Sequence, residues 1–279
     1  MLKDKYKNSV DMMFIFYYCF KLDEYCKTHL NQGNFASVDM KKFKQFNFPI
    51  PPMPVQQEIV RILDNFTELT AELTAELTAR RKQYEYYRNK LFKTASGLDI
   101  YYLNEISENC DNQRKPVTSG ERISGDYPYY GASGIVDYVD NYIFDGDYLL
   151  ISEDGANLLA RSTPIAFSIH GKNWVNNHAH VLHFNTYETR RYVEIYLNSI
   201  DLSPYITGGA QPKLNQKNMN KIPIPLPPLE EQRRIVSILD RFDTLCNDLT
   251  SGLPAEIEAR RKQYEYYRDK LLTFPKRNA

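Results

Sequence analysis

Three closely spaced histidines are the residues of this chain whose types most suggest metal chemistry. His178, His180 and His183 share one short segment, and the His-x-His spacing puts the first two imidazoles on one face of a predicted strand. No cysteine or carboxylate directly flanks the segment. The pattern therefore favours buried or hydrogen-bonded histidines, and a metal-dependent enzyme is the weaker alternative.

Two other combinations resemble catalytic or nucleotide-binding motifs. Glu153-Asp154-Gly155 pairs two carboxylates, but a following glycine is typical of a strand that ends in a turn. Gly171-Lys172 lacks the G-x-x-x-x-G-K-[ST] frame of a phosphate-binding loop. The chain also has no N-P-P-[YF] string and no glycine-rich cofactor loop. We expect no catalytic residue, no cofactor and no metal.

Composition and targeting signals define the broad class. The 279 residues carry 35 Lys+Arg and 35 Asp+Glu, so a strongly basic chain that coats phosphates is excluded. Hydrophobic residues make up 42%, which excludes wholesale disorder. The four cysteines have no C-x-x-C spacing, and the longest apolar run, Met12–Phe20, is far shorter than the roughly 20 residues of a membrane span. We expect a cytoplasmic protein with reduced thiols.

An internal repeat indicates the elements that must position any functional site. Phe48–Phe66 recurs as Ile224–Phe242 at a constant offset of 176, with the same Pro-x-Pro-Pro lead-in and I-V-x-I-L-D core. Ala79–Leu91 (ARRKQYEYYRNKL) recurs at an offset of 180 as Ala259–Leu271, with one difference. The chain therefore contains a duplicated unit.

Each copy is predicted to be a long helix. The prolines hold an extended lead-in, and apolar residues then recur at spacings of three and four, as in a coiled coil. Two such helices in one chain most economically pack on each other. The expected seam residues are Ile59, Ile62, Phe66, Leu69, Leu73, Tyr84, Tyr87 and Leu91 in the first helix, and Ile235, Ile238, Phe242, Leu245, Leu249, Tyr264, Tyr267 and Leu271 in the second.

The two helices differ at mid-length. The first contains the tetrapeptide repeat Thr67–Ala79 (TELTAELTAELTA), whereas the second contains Ser251-Gly252-Leu253-Pro254, which predicts a break or kink. About 39 helical residues in the first copy would span ~58 Å, or about 17 base pairs. Each added tetrapeptide would lengthen it by ~6 Å, so the repeat is a candidate ruler; the alternative is that it only shifts the seam.

Between the helices the sequence predicts a globular domain. Tyr127–Gly134, Asp145–Ile151 and His178–Phe184 read as strands separated by turn residues, and Arg190–Asn198 as a helix. The end of this domain, Gly209–Ile222, aligns with Gly33–Phe46 at the same offset of 176. Residues 1–47 therefore look like the last third of a second such domain.

This order of segments resembles the specificity subunit of type I restriction-modification enzymes. The resemblance rests on Ile224–Leu229 (IPLPPL) with Glu231-Gln232, on Gln211–Leu214, and on Tyr129–Ile135 with Asp145-Gly146. It implies an α+β fold: globular target-recognition domains and two long helices in an antiparallel coiled coil. It divides the chain into 1–47 (remnant of the first recognition domain), 48–97 (first spacer helix), 98–222 (complete recognition domain) and 223–279 (second spacer helix).

The resemblance also implies a non-catalytic subunit that reads one half of a bipartite site on double-stranded DNA. Methylation would belong to methyltransferase subunits docked on the coiled coil, and restriction subunits would join through them. Since residues 1–47 lack the loop, with Phe35-Ala36-Ser37 in place of Gln211-Pro212-Lys213, the chain would pair with a second copy or a separate half-subunit. The competing interpretation is a truncated coiled-coil interaction protein, the remnant of a split gene, without DNA recognition.

Site residues follow from these expectations. Residues 99–222 hold 10 Lys+Arg against 15 Asp+Glu, so an acidic reader must concentrate its few cations on one face. Glutamine suits adenine, and lysine suits guanine or phosphate. The DNA-binding candidates are Gln211, Lys213, Arg114, Lys115, Lys172 and Lys217. The subunit-docking candidates are Arg80, Arg81, Tyr84, Tyr87, Arg260, Arg261, Tyr264 and Tyr267; phosphate binding by these basic blocks is the alternative.

Overall fold

The computed structural model describes residues 9–31, 35–94 and 99–275. These residues form two compact units, one made from the described parts of Met1–Lys82 and Asp243–Ala279, the other from Gln83–Phe242. The long helix α3 (Met53–Thr94) contributes its first part to the first unit and its last part to the second. Among the described residues, no helix combines the length and hydrophobicity needed to cross a membrane.

The first unit is mainly helical. Its elements before α3 are α1 (Met12–Thr28), β1 (Leu30–Asn31), β2 (Ser37–Val38) and α2 (Met40–Phe43). Asp11 caps α1 by accepting hydrogen bonds from the amides of Met13 and Phe14. The first unit also contains α9 (Leu253–Leu271). Its buried core consists of Phe14, Tyr17, Ile59, Leu63 and Leu272.

The second unit contains two four-stranded sheets. One has the strand order β6-β5-β10-β7, with only β5 and β10 parallel. The other, β4-β11-β8-β9, is wholly antiparallel. The strands are β4 (Glu108–Asn109), β5 (Ser124–Gly131), β6 (Gly134–Val139), β7 (Phe144–Asp145), β8 (Tyr148–Ser152), β9 (Ala166–Ile169), β10 (Lys172–Val175) and β11 (Ala179–His183).

Helices cover one face of the second sheet. The helix predicted at Arg190–Asn198 is confirmed as α6 (Tyr187–Ser199), which packs on β9 and buries six of its residues. The remaining elements of this unit are β3 (Ile100–Tyr101), α4 (Leu103–Ile106), α5 (Asn157–Ala160), α7 (Gln216–Met219) and β12 (Ile224–Pro225). Helices beside an antiparallel sheet confirm the predicted α+β class.

The second spacer helix is interrupted, as predicted. Its halves are α8 (Leu229–Asn247) and α9, and a side chain at Gly252 would place its Cβ 2.5 Å from the carbonyl oxygen of Thr244. The predicted seam is wrong at Leu249, which is 79% exposed because α8 has already ended. In the first helix Leu63, rather than the predicted Ile62, is fully buried.

The packing partners of α3 agree with the predicted antiparallel coiled coil. In the first unit Phe66 stacks on Tyr267, with ring centroids 5.5 Å apart. In the second unit Tyr87 stacks on Phe242 at 5.9 Å. Early residues of α3 thus meet late residues of the second spacer helix, and late residues of α3 meet early ones.

Candidate nucleic-acid interface

Gln211 and Lys213 lie in a tight hairpin, here called the 207–214 loop (Thr207–Leu214). Thr207 and Lys213 exchange backbone hydrogen bonds of 2.8 and 2.7 Å. Gly208 has φ +83°, and a Cβ there would lie 2.4 Å from the carbonyl oxygen of Gln211. Only glycine fits this position, so the turn that presents Gln211 depends on Gly208.

The segment after β8 anchors this loop. The amide of Leu214 donates to the carbonyl of Glu153 (2.8 Å), and the amide of Gly155 donates to the carbonyl of Pro212 (3.1 Å). Pro212 and Leu214 are buried, whereas the Gln211 side chain is exposed and has no hydrogen-bond partner among the described residues. An amide held on a fixed backbone and free of partners is suited to hydrogen-bond a base edge.

Glu153 joins two of the predicted DNA contacts. Its carboxylate lies 3.2 Å from Nζ of Lys213 and 2.6 Å from Nη1 of Arg114. Burial alone would raise the pKa of Glu153, but the hydrogen bond from Arg114, with help from His180 and Lys213, brings it below its usual value. The structure therefore assembles Lys213 and Arg114 around one ionised carboxylate.

The two cations differ in what else they can bind. Arg114 is only 14% exposed, and its guanidinium also donates to the carbonyls of Ala179 (2.8 Å) and Asp111 (3.1 Å). These contacts indicate that Arg114 stabilises the site from a buried position. Lys213 is half-exposed, so its ammonium can reach a phosphate as well as Glu153.

The other three DNA-binding candidates lie elsewhere on the second unit. Lys115 is exposed, and its carbonyl accepts a 2.6 Å hydrogen bond from Nε1 of Trp174. Nζ of Lys172 lies 4.7 Å from the ring centre of Tyr142, whose hydroxyl raises the pKa of this lysine. Lys217 is exposed on α7. In the described part of the chain, no hydrogen bond joins these lysines to the 207–214 loop.

A polar recess of about 300 Å³ beside the loop contains His178, which was predicted to be buried or hydrogen-bonded. His178 lines it with Gln211 and Lys213, and Nδ1 of His178 lies 2.9 Å from Asp154. The alternation in His178-Ala179-His180 does predict that both rings share a face. Nothing in the sequence indicates that the 207–214 loop covers that face. Across residues 9–31, 35–94 and 99–275, no three potential ligands converge on a metal position.

The predicted docking tyrosines belong largely to the helix seams. Tyr84 and Tyr87 contact Phe242 in the second unit, and Tyr264 and Tyr267 pack within the first. The most exposed tyrosines of the two repeated blocks are Tyr86 and Tyr266, each 60% exposed and each near the lysine four residues later. This pair was not among the predicted docking residues, although its position one residue away from the seam indicates an exposed side chain.

The predicted docking arginines lie on helix surfaces. Arg80 pairs with Glu76 at 2.7 Å, and Arg260 pairs with Glu256 at 2.7 Å, both one turn earlier in the same helix. Arg261 pairs with Glu258 at 3.0 Å, and Arg81 is exposed. Exposed pairs within one helix contribute little to stability, so these guanidinium groups can exchange partners at low cost.

Known proteins resemble this chain in both sequence and fold. The pattern of the family "Type I restriction modification DNA specificity domain" matches residues 1–80 and 96–259. A Haemophilus influenzae protein named as a type I restriction enzyme specificity subunit is 40% identical over 197 residues, which cover 68% of this chain and 51% of the relative. The Escherichia coli EcoprrI specificity subunit is 35% identical over 277 residues, covering 89% and 65% respectively.

A solved structure supports the fold alone. The crystal structure of a type I restriction-modification S subunit from M. genitalium aligns with a TM-score of 0.56 at 19% identity, covering 97% of this chain and 74% of that one. The chain thus spans about half to two thirds of the length of the first curated relatives that it matches.

Proposed function

Since the chain belongs to the family of type I restriction-modification DNA specificity domains, we propose that it is the non-catalytic subunit that recognises one half of a bipartite DNA target. The observation that carries this proposal is the exposed, unpartnered amide of Gln211 beside Lys213 on an anchored loop. The proposed base contact is Gln211, and the proposed phosphate contact is Lys213. Arg114 fixes Glu153 rather than touching DNA, and Lys115, Lys172 and Lys217 supply peripheral phosphate contacts.

The pairing of carboxylates with cations inside the site explains how a domain with a net negative charge can bind DNA. Residues 99–222 carry five more acidic than basic side chains. Glu153 and Asp111 are, however, bound to cations inside the site, as Arg114 illustrates at 2.6 and 3.4 Å respectively. A phosphate can therefore replace Glu153 as the partner of Lys213 without leaving that carboxylate unpaired. Partner subunits supply the remaining phosphate contacts.

We propose that methyltransferase subunits dock on the repeated helical blocks, with catalysis located in those partners and restriction subunits joining through them. Tyr86 and Tyr266 present equivalent exposed rings, and exposed tyrosine and arginine are among the side chains most enriched in protein interfaces. The same duplication supports the division of the chain at 1–47, 48–97, 98–222 and 223–279.

The remnant supports pairing with a further recognition domain. Met12, Met13 and Phe16 lie on one face of α1 and are exposed, whereas α6 buries most of its apolar residues against the sheet of the second unit. We propose that the target is completed by a second half-subunit, either another copy or a separate polypeptide. The competing function, a coiled-coil interaction protein without recognition, is favoured by Phe35, which is 90% exposed in the position of Gln211.

Mapping methylated bases in cells that express the chain with its methyltransferase tests this function. Wild type should methylate one defined two-part motif; a palindrome indicates two copies, and unrelated half-sites indicate a separate partner. Gln211→Ala should relax the motif at about one base pair. Lys213→Ala should lower methylation of all sites without changing the motif.

Gln216→Ala is the matched control, since Gln216 is an exposed glutamine outside the loop. It should leave the motif and its methylation unchanged. Co-purification with methyltransferase but no sequence-dependent methylation would instead support the interaction protein.

A further inference from the structure

We infer that His180 is the positioning residue of the 207–214 loop: as a doubly protonated imidazolium it joins Asp111 to the carbonyl of Leu214, and so presents Gln211 and Lys213 to DNA. The inference rests on the proposed function for its DNA consequence. Its structural part stands on the hydrogen bonds of one buried ring.

Both nitrogens of the ring face acceptors. Nε2 of His180 lies 2.8 Å from the carbonyl oxygen of Leu214, and Nδ1 lies 2.6 Å from Oδ2 of Asp111. A carbonyl only accepts, so Nε2 must carry a proton. The ring is 1% exposed, and water therefore has little access to either bond.

The second proton follows from the state of Asp111. Burial would raise the pKa of this carboxyl, but the hydrogen bond from His180 and the amide of Val181, which donates at 2.8 Å, lower it below its usual value. An ionised carboxylate only accepts. Nδ1 must therefore donate as well, which makes the ring a cation.

The charges around the ring support this assignment. Asp111 and Glu153 approach Nδ1 at 2.6 and 3.8 Å. Arg114 lies 3.4 Å from Asp111, and Lys213 lies 3.2 Å from Glu153. Arg114 and Lys213 thus balance the charges of Asp111 and Glu153, and Nδ1 of the ring faces the carboxylate of Asp111.

Loss of the ring's second proton would turn a nitrogen lone pair toward Asp111. The attraction that fixes the ring would become repulsion, and the anchor at Leu214 would loosen. Because Leu214 directly follows Lys213, loss of this anchor should disturb the orientation of the loop and lower its affinity for DNA.

The experiment uses the full chain with its methyltransferase and a duplex that carries the mapped motif. Three readouts are followed near neutral pH. These are the ¹⁵N signals of His180, hydrogen exchange of the amides of Lys213 and Leu214, and retention of the duplex. Wild type should show two protonated nitrogens, slow exchange of both amides and retention of the duplex.

Variants separate positioning from packing. His180→Gln should speed exchange and weaken retention about tenfold near neutral pH. In Asp111→Asn with His180→Gln, the new amide at 111 can donate to the new amide at 180, which can still donate to Leu214. This double variant should recover retention. His170→Gln is the control, because His170 forms an exposed pair with Asp147 at 2.7 Å.

A single protonated nitrogen on His180 near neutral pH, or wild-type loop exchange in His180→Gln, would overturn the inference. Failure of the proposed function looks different. The His180 signals and loop exchange would then behave as expected, while the chain retained mapped and scrambled duplexes equally.

Discussion

The two units use one scheme to attach a helix to the start of a spacer helix. In the first unit the buried Gln56 accepts from the amide of Asp11 (2.8 Å) and donates to the carbonyl of Pro51 (2.6 Å). In the second unit Gln232, its counterpart in the repeat, accepts from Oγ1 of Thr189 (2.8 Å) and donates to the carbonyl of Pro227 (2.7 Å). The duplication has therefore kept the same glutamine contacts at the start of both spacer helices.

The two units differ in how far they bury the face of the attached helix that does not contact the spacer helix. α6 is held between α8 and the sheet, and six of its 13 residues are buried. α1 has 17 residues, of which only Phe14 and Tyr17 are buried. A spacer helix alone can therefore hold such a helix, whereas burial of its other face requires the sheet of the second unit.

Inserting one tetrapeptide into α3 should have the largest effect, because the chain would select different DNA sites. Four added residues lengthen the helix by ~6 Å, about two base pairs, and should widen the spacer of the target without changing the bases read. We expect the segment to tolerate insertion, since Thr70, Thr74 and Thr78 bond carbonyls of their own helix and line an open groove of about 680 Å³ in the first unit.

The measurement is methylation mapping, and Thr74→Ala, which keeps the length of the helix, is the control. An unchanged spacer after insertion would mean that the repeat only adjusts the coiled-coil seam.

The next largest difference between the two units should be the loss of stability when a carboxylate is introduced into α6 or into α1. Val193→Asp in α6 places a carboxylate in the core of the second unit and should cost about 4 kcal/mol or more. Phe16→Asp in α1 changes a side chain that is 65% exposed and should alter stability by less than about 0.5 kcal/mol. Urea unfolding followed by Trp174, the only tryptophan and part of the second unit, together with circular dichroism, measures both. Equal losses would show that the exposed face of α1 is covered in solution.

The glutamine attachment should be of similar strength in both units. Gln232→Ala leaves the carbonyl of Pro227 without its donor, and Gln56→Ala does the same to Pro51. Each change should cost about 2 kcal/mol, with the larger loss at Gln56, which also donates to the carbonyl of Ser9. Gln57→Ala, at an exposed neighbour, is the control in the same denaturation experiment. A loss confined to Gln232 would show that α1 is not held to its spacer helix as α6 is.

Local sequence patterns predicted the helices and strands, whereas contacts between residues distant in the sequence determine the geometry of the candidate site. Gly252 and Pro254 predict the break in the second spacer helix, and the helix does end at Asn247. The role of Glu153 was not predictable, because its partners Arg114 and Lys213 are distant in the sequence and meet it only when β8 and the loop pair. A lone carboxylate pair in a sequence resembles catalytic chemistry; only the fold shows that cations already occupy it.

The smallest difference between the units should appear in the titration of two tyrosines, each of which donates a hydrogen bond to the same aspartate of the repeat. Tyr17 donates to Asp64 (2.6 Å), and Tyr187 donates to Asp240 (2.7 Å), the counterpart of Asp64 in the repeat. Burial first, and then these hydrogen bonds, raise each tyrosine pKa to about 12. An unfolded tyrosine ionises near pH 10, so both units should lose stability as the pH rises from about 10 toward 12.

Replacing each aspartate separates the two attachments. Asp64→Asn removes only the bond to the carboxylate; by ultraviolet titration the pKa of Tyr17 should then fall and yet stay above 10.0, because the ring remains buried. Since Asp240 also accepts from Arg191 at 2.7 Å, Asp240→Asn should in addition loosen α6. A larger shift for Tyr17 than for Tyr187 would therefore mean that the Tyr17 phenol depends more strongly on its carboxylate, because Asp240 is shared between Tyr187 and Arg191.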